Sequence, residues 1–90
     1  MQKKKQYKNG QAVYEQKGDI LTYFFKTGVV KAKGKSVRDV MQGKWTFYRE
    51  SGDLWVIGHF KDNKKHGNWI RYDKKGKLEY NENFMDGNQI

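Results

Sequence analysis

The sequence has no cysteine and no proline, and these two absences narrow the folds that its 90 residues can adopt. Without cysteine, neither a disulfide framework nor a cysteine-based metal site can stabilise the chain. Without proline, no strand is interrupted by a residue that lacks a backbone donor. Stability must therefore come from the burial of apolar surface, for which the chain carries 3 Trp, 6 Tyr and 5 Phe.

Acidic residues are scarce, with 10 Asp and Glu against 19 Lys and Arg, so the net charge is +9. A charge of this sign favours acidic partners. We expect a protein with an acidic surface first, an anionic lipid surface second and a nucleic acid last, because most of the aromatic residues stand at core-like positions. The charge does not indicate an oligomeric state.

Long apolar runs are also missing. The basic start at residues 1–5 is followed by no apolar segment of the kind that a signal peptide contains. No run is long enough to span a membrane. For the chain as given, we therefore expect a cytoplasmic protein, unless a leader has been removed, and we expect the basic start to be a solvated terminus.

Two consecutive segments of equal length, 43–66 and 67–90, match each other position by position, and a weaker copy occupies 19–42. A fixed period of this length is typical of a repeat architecture. We predict one domain, 1–90, in which residues 1–18 match the repeat poorly. The repeated positions carry residue types that shape turns or fill cores: Gly43, Trp45, Tyr48, Gly52, Leu54, Phe60, Asn63, Gly67, Trp69, Tyr72, Gly76, Leu78, Phe84 and Gly87.

Turn-forming residues recur at positions 28, 39, 52, 63, 76 and 87, and the gaps between them alternate between a shorter and a longer one. All six are Gly, Asn or Asp, the types that tolerate a left-handed backbone and that tight hairpins require. This spacing predicts an all-β fold. We expect an antiparallel β-meander of tandem hairpins of about 24 residues, which form a single elongated, twisted sheet.

The strand after Gly52 has apolar residues on both faces. Strict alternation places Leu54, Val56, Gly58 and Phe60 on one face and places Trp55, Ile57 and His59 on the other. The strands of the outer copies alternate between apolar and polar residues, with Lys31, Lys33 and Lys35 on the polar face of the first copy. The middle copy therefore needs a cover.

Two covers can be considered: residues 1–18 folding across the sheet, or a bound partner. The candidate partner-binding residues are this second face and the basic loop beside it: Trp55, Ile57, His59, Lys61, Lys64 and Lys65. We also expect Gly43 and Gly67, each two residues before a Trp, to be the positions on which an aromatic ring of a neighbouring strand lies.

No catalytic, cofactor or metal site stands out. His59 and His66 are the only histidines and lie in different elements, whereas a zinc site needs about four converging ligands. The acidic residues are scattered through turns and polar faces, and neither a nucleophile elbow nor a phosphate-binding glycine loop is present. We expect a protein that is not an enzyme and that holds no cofactor.

The pattern G-x-W-x-x-Y-x-x-x-G-x-L, followed by F-x-D-G/N, resembles the MORN repeat, and more narrowly the bacterial MORN-variant proteins of antitoxin type. It covers residues 24–87 and departs from the family at Asn63, where Gly is usual. The resemblance implies one β-hairpin per repeat. It also implies a protein-binding or lipid-binding module, and in the narrower family the antitoxin of a toxin–antitoxin pair.

Overall fold

The computed structural model describes residues 5–90, which form nine β-strands and no helix. None of these residues therefore belongs to a helix that could span a membrane. The expectation for the basic start lies, apart from Lys5, outside the described residues. The strands are β1 (Tyr14–Lys17), β2 (Ile20–Phe24), β3 (Val30–Val37), β4 (Val40–Tyr48), β5 (Leu54–Lys61), β6 (Lys64–Lys65), β7 (Gly67–Tyr72), β8 (Leu78–Met85) and β9 (Asn88–Gln89).

All strands pair antiparallel with their neighbours in one open sheet, in the order β1-β2-β3-β4-β5-β7-β8-β9, and the short β6 pairs with β5. This topology confirms the predicted meander. The principal dimensions of the molecule are 40 × 33 × 17 Å. A single layer buries few residues completely. The buried apolar side chains of the described chain are Ala32, Trp45 and Trp69.

The predicted turns are confirmed, since all six predicted positions have a positive φ. At one end of the sheet, the hairpin turns carry two successive residues with positive φ, which is the type I′ geometry that fits strand twist. These pairs are Arg38–Asp39, Asp62–Asn63 and Asp86–Gly87. Asn63, with φ of 68°, adopts the conformation that Gly87 adopts in the next copy.

The N-terminal segment extends the sheet and does not fold over a face of it, so the prediction of such a cover is wrong for the described residues. Tyr7 N donates to Gln11 O at 2.8 Å, and Gly10 N donates to Tyr7 O at 2.9 Å. The same pair of bonds closes the turns at 25–29, 49–53 and 73–77. Residues 7–11 are therefore a fourth copy of this turn. Fewer residues separate this copy from the turn at 25–29 than separate the turns at 25–29 and 49–53. Sequence comparison at the fixed period therefore misses this copy.

A β-bulge in each repeat changes which face a side chain occupies. In β5, Val56 pairs with Phe47 and Leu54 pairs with Tyr48, so Trp55 is the extra residue of the bulge. Such a residue interrupts the alternation of side chains. Trp55 lines the same groove as Trp45 and Phe47. The prediction that Trp55 shares a face with Ile57 and His59 is therefore wrong.

The equivalent bulge residues of the other copies show the same change of face. Lys31 lines the groove that contains Trp45, so its predicted place beside Lys33 and Lys35 is also wrong. Glu79 forms an ion pair with Arg71, whose neighbour in the register is Val56. The face that carries these bulge residues and the seated tryptophans is called the aromatic face below.

Candidate interaction surface

The aromatic face is built around two tryptophans that lie on glycines of the preceding strand. A Cβ added to Gly34 would come within 2.2 Å of the Trp45 ring, and one added to Gly58 would come within 2.5 Å of the Trp69 ring. Real Cβ atoms do not approach other atoms this closely, so only glycine fits beneath each indole. Gly34 and Gly58 are the seats of these rings.

The sequence prediction assigned this role to Gly43 and Gly67 and is wrong for both. Gly43 has φ of 68° and Gly67 has φ of 89°. No atom lies within 4 Å of a Cβ added to Gly43, and only the His59 side chain lies near one added to Gly67. Their role is conformational, because other residues rarely adopt this left-handed backbone.

Each seated indole is also fixed by a hydrogen bond to the strand beneath it. Trp45 Nε1 donates to Lys35 O at 3.0 Å, and Trp69 Nε1 donates to His59 O at 2.9 Å. The separation of donor and acceptor along the chain is the same in both cases. Because the two tryptophans have equivalent surroundings, the repeat detected in the sequence is a repeat in three dimensions.

Phenylalanines connect the two seated indoles. Phe60 packs edge-on against Trp69 at 5.1 Å and against Trp45 at 6.1 Å, and Phe84 packs edge-on against Trp69 at 6.3 Å. Such T-shaped pairs add to the stabilisation from burial. The repeat's tyrosines and leucines form equivalent cross-strand pairs, Tyr48 with Leu54 and Tyr72 with Leu78.

Above this aromatic cluster lies an apolar groove of about 450 Å³. It extends from β2 to β5. A smaller depression adjoins it toward β8 and shares Phe47 and Trp55 with it. The two depressions together are called the trough. The exposed side chain at its centre is Trp55, with 37% of its surface accessible. The groove itself is lined by Tyr23, Phe25, Lys31, Ala32, Met41, Trp45, Phe47, Tyr48, Trp55 and Phe60.

Within the described residues, four cationic groups lie over aromatic rings. Arg49 lies 5.3 Å from the centre of the Trp55 ring, and Arg71 lies 4.2 Å from that of Tyr80. Lys65 Nζ lies 4.6 Å from the centre of the Trp69 ring. The fourth is Lys31 Nζ, 5.8 Å from that of Phe25. Of the four, Arg71 also has a carboxylate partner, Glu79. The trough is therefore apolar at its floor and cationic at its rim.

The structure brings together only two of the six predicted partner-binding residues. Trp55 and Lys65 line the same depression of the trough. Ile57 pairs with Thr46 and Ile70, and with His59 it belongs to the opposite face by alternation along β5.

The other predicted residues have different surroundings. His59 Nδ1 lies 2.9 Å from Asn68 O, within the sheet. Lys61 and Lys64 pair with each other beside the Asp62–Asn63 turn and are exposed. They form a basic hairpin end and not part of the trough.

Sequence reasoning missed two arginines near Trp55. Arg49 lies over the Trp55 ring, and Arg71 lines the smaller depression of the trough with Trp55. One signal could have found them: each lies next to a repeated aromatic position, Tyr48 or Tyr72, and therefore near the bulge. Within residues 5–90, no three His, Asp or Glu side chains are grouped so that they could hold a metal ion.

Comparison with protein families gives a match to the MORN repeat variant, at residues 41–62 and again at 65–86. The two matches contain both of the seated tryptophans. Comparisons with curated proteins and with solved structures gave no match. Residues 41–62 and 65–86 are therefore each similar to the MORN repeat variant.

Proposed function

We propose that this chain is a non-catalytic interaction module that binds a protein partner through the trough, with acidic groups of the partner against its cationic rim. One observation carries the proposal: Trp55, which both depressions of the trough share, is 37% exposed beside an apolar groove of about 450 Å³. Contiguous exposed apolar surface marks interaction sites, and Trp and Arg are enriched among the residues that dominate binding energy.

The charges of the rim support an acidic partner over a second copy of the chain. A copy carries a net charge of +9 and the same cations around its own trough. If two copies met through these rims, like charges would come together and oppose association. A partner with carboxylates around an apolar centre would complement both the rim and the floor.

The resemblance to antitoxin-type proteins supports a narrower form of the proposal. In that form, the partner is a toxin. The trough covers part of the toxin's surface, and the chain acts by occupying that surface. The toxin would then be neutralised only while it is bound to the trough. Co-expression with a candidate toxin tests this form, since the wild-type chain would restore growth and a chain with an altered trough would not.

A matched pair of charge reversals tests the general proposal. Lys65→Glu reverses a charge on the rim, and Lys33→Glu makes the same change on the opposite face. With the tagged chain immobilised, we expect one protein to be captured saturably by the wild type and by Lys33→Glu, and at least tenfold less by Lys65→Glu. Equal loss from both variants, or no saturable protein partner under native conditions, would overturn the proposal.

The exposed lysines of the Asp62–Asn63 hairpin end favour a second function, contact with an anionic membrane surface. Lys61 and Lys64 are adjacent across that turn, and each basic residue near such a surface contributes about 1 kcal/mol. Sedimentation with vesicles that contain or lack phosphatidylserine tests this function. Binding that does not depend on lipid charge would exclude this second function. If the chain bound only mixed-sequence RNA or DNA, its partner would be a nucleic acid.

A further inference from the structure

The first repeat lacks two rings of the aromatic cluster, and a pocket lies beside the two positions. Leu21 stands where Trp45 and Trp69 stand in the later copies. When the copies are aligned, Ser36 stands where Phe60 and Phe84 stand in the later ones. Ser36 is 3% exposed, and it lines a pocket of about 220 Å³. In the later copies, Phe60 and Phe84 both pack edge-on against Trp69. The repeat therefore has space for a six-membered ring at this position, and the chain does not provide one.

The pocket adjoins the groove of the trough and shares Tyr23 and Met41 with it. A segment that lies in the groove could therefore place a side chain in the pocket without leaving the aromatic face. Met41 pairs with Ser36 in the register. Its flexible thioether suits a wall that must adapt to a ring, and sulfur makes favourable contacts with aromatic rings.

The chemistry of the walls indicates which ring. Leu21, Tyr23 and Met41 provide apolar surface, while Asp39 and Asn63 provide polar groups at the turn end. An apolar ring with a polar group matches this division. Tyrosine and tryptophan both have one, and tyrosine carries it at the tip of a single six-membered ring. The carboxylate of Asp39 can accept a hydrogen bond from a phenol.

We infer that the pocket over Ser36 binds a tyrosine side chain of the partner protein, as an anchor beside the trough. This inference rests on the proposed function for the source of the tyrosine, although the pocket itself can be tested without a partner. A buried cavity of about 150 Å³ suffices for benzene, so a phenol fits a pocket of this size. The bound ring would lie beside Ser36, whose equivalents in the later copies are Phe60 and Phe84.

Titration of the ¹⁵N-labelled chain with N-acetyl-tyrosinamide tests the inference by NMR. We expect saturable shifts of the backbone amides of Leu21, Ser36 and Met41, with a dissociation constant in the millimolar range. N-acetyl-leucinamide should bind at least fivefold more weakly. Stronger binding of N-acetyl-argininamide, or shifts confined to residues around Trp55, would overturn the assignment of a tyrosine pocket.

Ser36→Phe supplies the missing ring from the chain itself. We expect this variant to lose the tyrosinamide shifts and to melt several degrees higher, as cavity-filling substitutions commonly do. Gln89→Phe is the matched control, because it adds the same ring at the other end of the sheet, opposite Phe84, and should leave the shifts unchanged. If Ser36→Phe does not fold, Ser36→Leu should still reduce the affinity at least threefold.

The outcomes separate the pocket from the proposed function. Full binding of the probe by a folded Ser36→Phe variant would overturn the pocket and leave the trough proposal untouched. Specific binding of the probe by a chain that captures no protein would leave the pocket standing as a site for a phenol and would remove the proposed source of its ligand.

Discussion

Trp45 and Trp55 lie on adjacent strands and on the same face, yet 1% of the first is exposed and 37% of the second. The difference comes from what lies beneath each ring. Trp45 is seated on a glycine and donates its indole proton to a backbone carbonyl. Trp55 is the extra residue of a bulge and has an arginine over its ring. The same residue type can therefore build the repeat or be presented to a partner, depending on the backbone.

Removal of a seated ring should have the largest effect. For Trp45→Ala we expect a loss of about 3–5 kcal/mol in the free energy of unfolding, the range for large-to-small substitutions at buried aromatics. This is a large share of the stability of a small domain, so partial unfolding at room temperature is expected. Urea denaturation followed by circular dichroism measures it. A loss below about 1 kcal/mol would show that Trp45 is not seated.

The seat itself should be sensitive to a single methyl group. A Cβ at Gly58 would lie 2.5 Å from three atoms of the Trp69 ring, so we expect Gly58→Ala to cost about 1–3 kcal/mol through overpacking. Glu82→Ala is the matched control, because Glu82 is the equivalent position of the next copy and already carries a Cβ. Equal melting temperatures for the two variants would contradict the seat.

A substitution outside the aromatic face should stabilise the chain. In this background, destabilised tryptophan variants should stay folded enough for their stability to be measured. Arg38 has φ of 53° at the first position of a type I′ turn, where Asn is preferred and Arg is strained. We expect Arg38→Asn to raise the melting temperature by about 4–8 °C, which corresponds to about 1 kcal/mol for a domain of this size. Lys17→Asn, at an ordinary φ, should give no such gain.

The bulged ring should matter less for stability than the seated rings, and most for binding. For Trp55→Ala we expect a loss of about 1–2 kcal/mol, smaller than for Trp45→Ala because 37% of Trp55 is exposed, together with at least a tenfold loss of partner capture. Thermal melting and the capture experiment on the same preparation compare the two effects. A melting temperature as low as that of Trp45→Ala would place Trp55 in the core and contradict the proposal that the trough binds a partner.

The repeat and its turns could be predicted from the sequence because local chemistry determines them. Positions such as Asn63 and Gly76 require a left-handed backbone, and only a few residue types adopt one at low cost. The matching of Trp45 with Trp69 followed from the fixed period. For this reason, the all-β meander and the turn positions agree with the structure.

The candidate site was harder to predict because bulges depend on pairing between strands. Alternation along β5 assigns Trp55 to the wrong face, since nothing in the local sequence shows that Leu54 and Val56 oppose consecutive residues of β4. The seats were misplaced for a related reason. Gly43 and Gly58 look alike in the sequence, and only the register shows which of them lies beneath an indole. The turn at Gly10 was not recognised as a further copy of the repeat's turn, because the first copy is shorter.

Hydrogen exchange of the three indole N–H groups tests the distinction between seated and bulged tryptophans most directly. Trp45 and Trp69 donate to Lys35 O and His59 O, whereas within residues 5–90 no hydrogen bond of the structure involves the Trp55 indole nitrogen. With signals assigned by Trp→Phe substitution, two indole protons should exchange slowly, at rates near those of the strand amides, and the Trp55 proton should exchange rapidly. A slowly exchanging Trp55 proton, or rapid exchange at Trp45 or Trp69, would contradict the account.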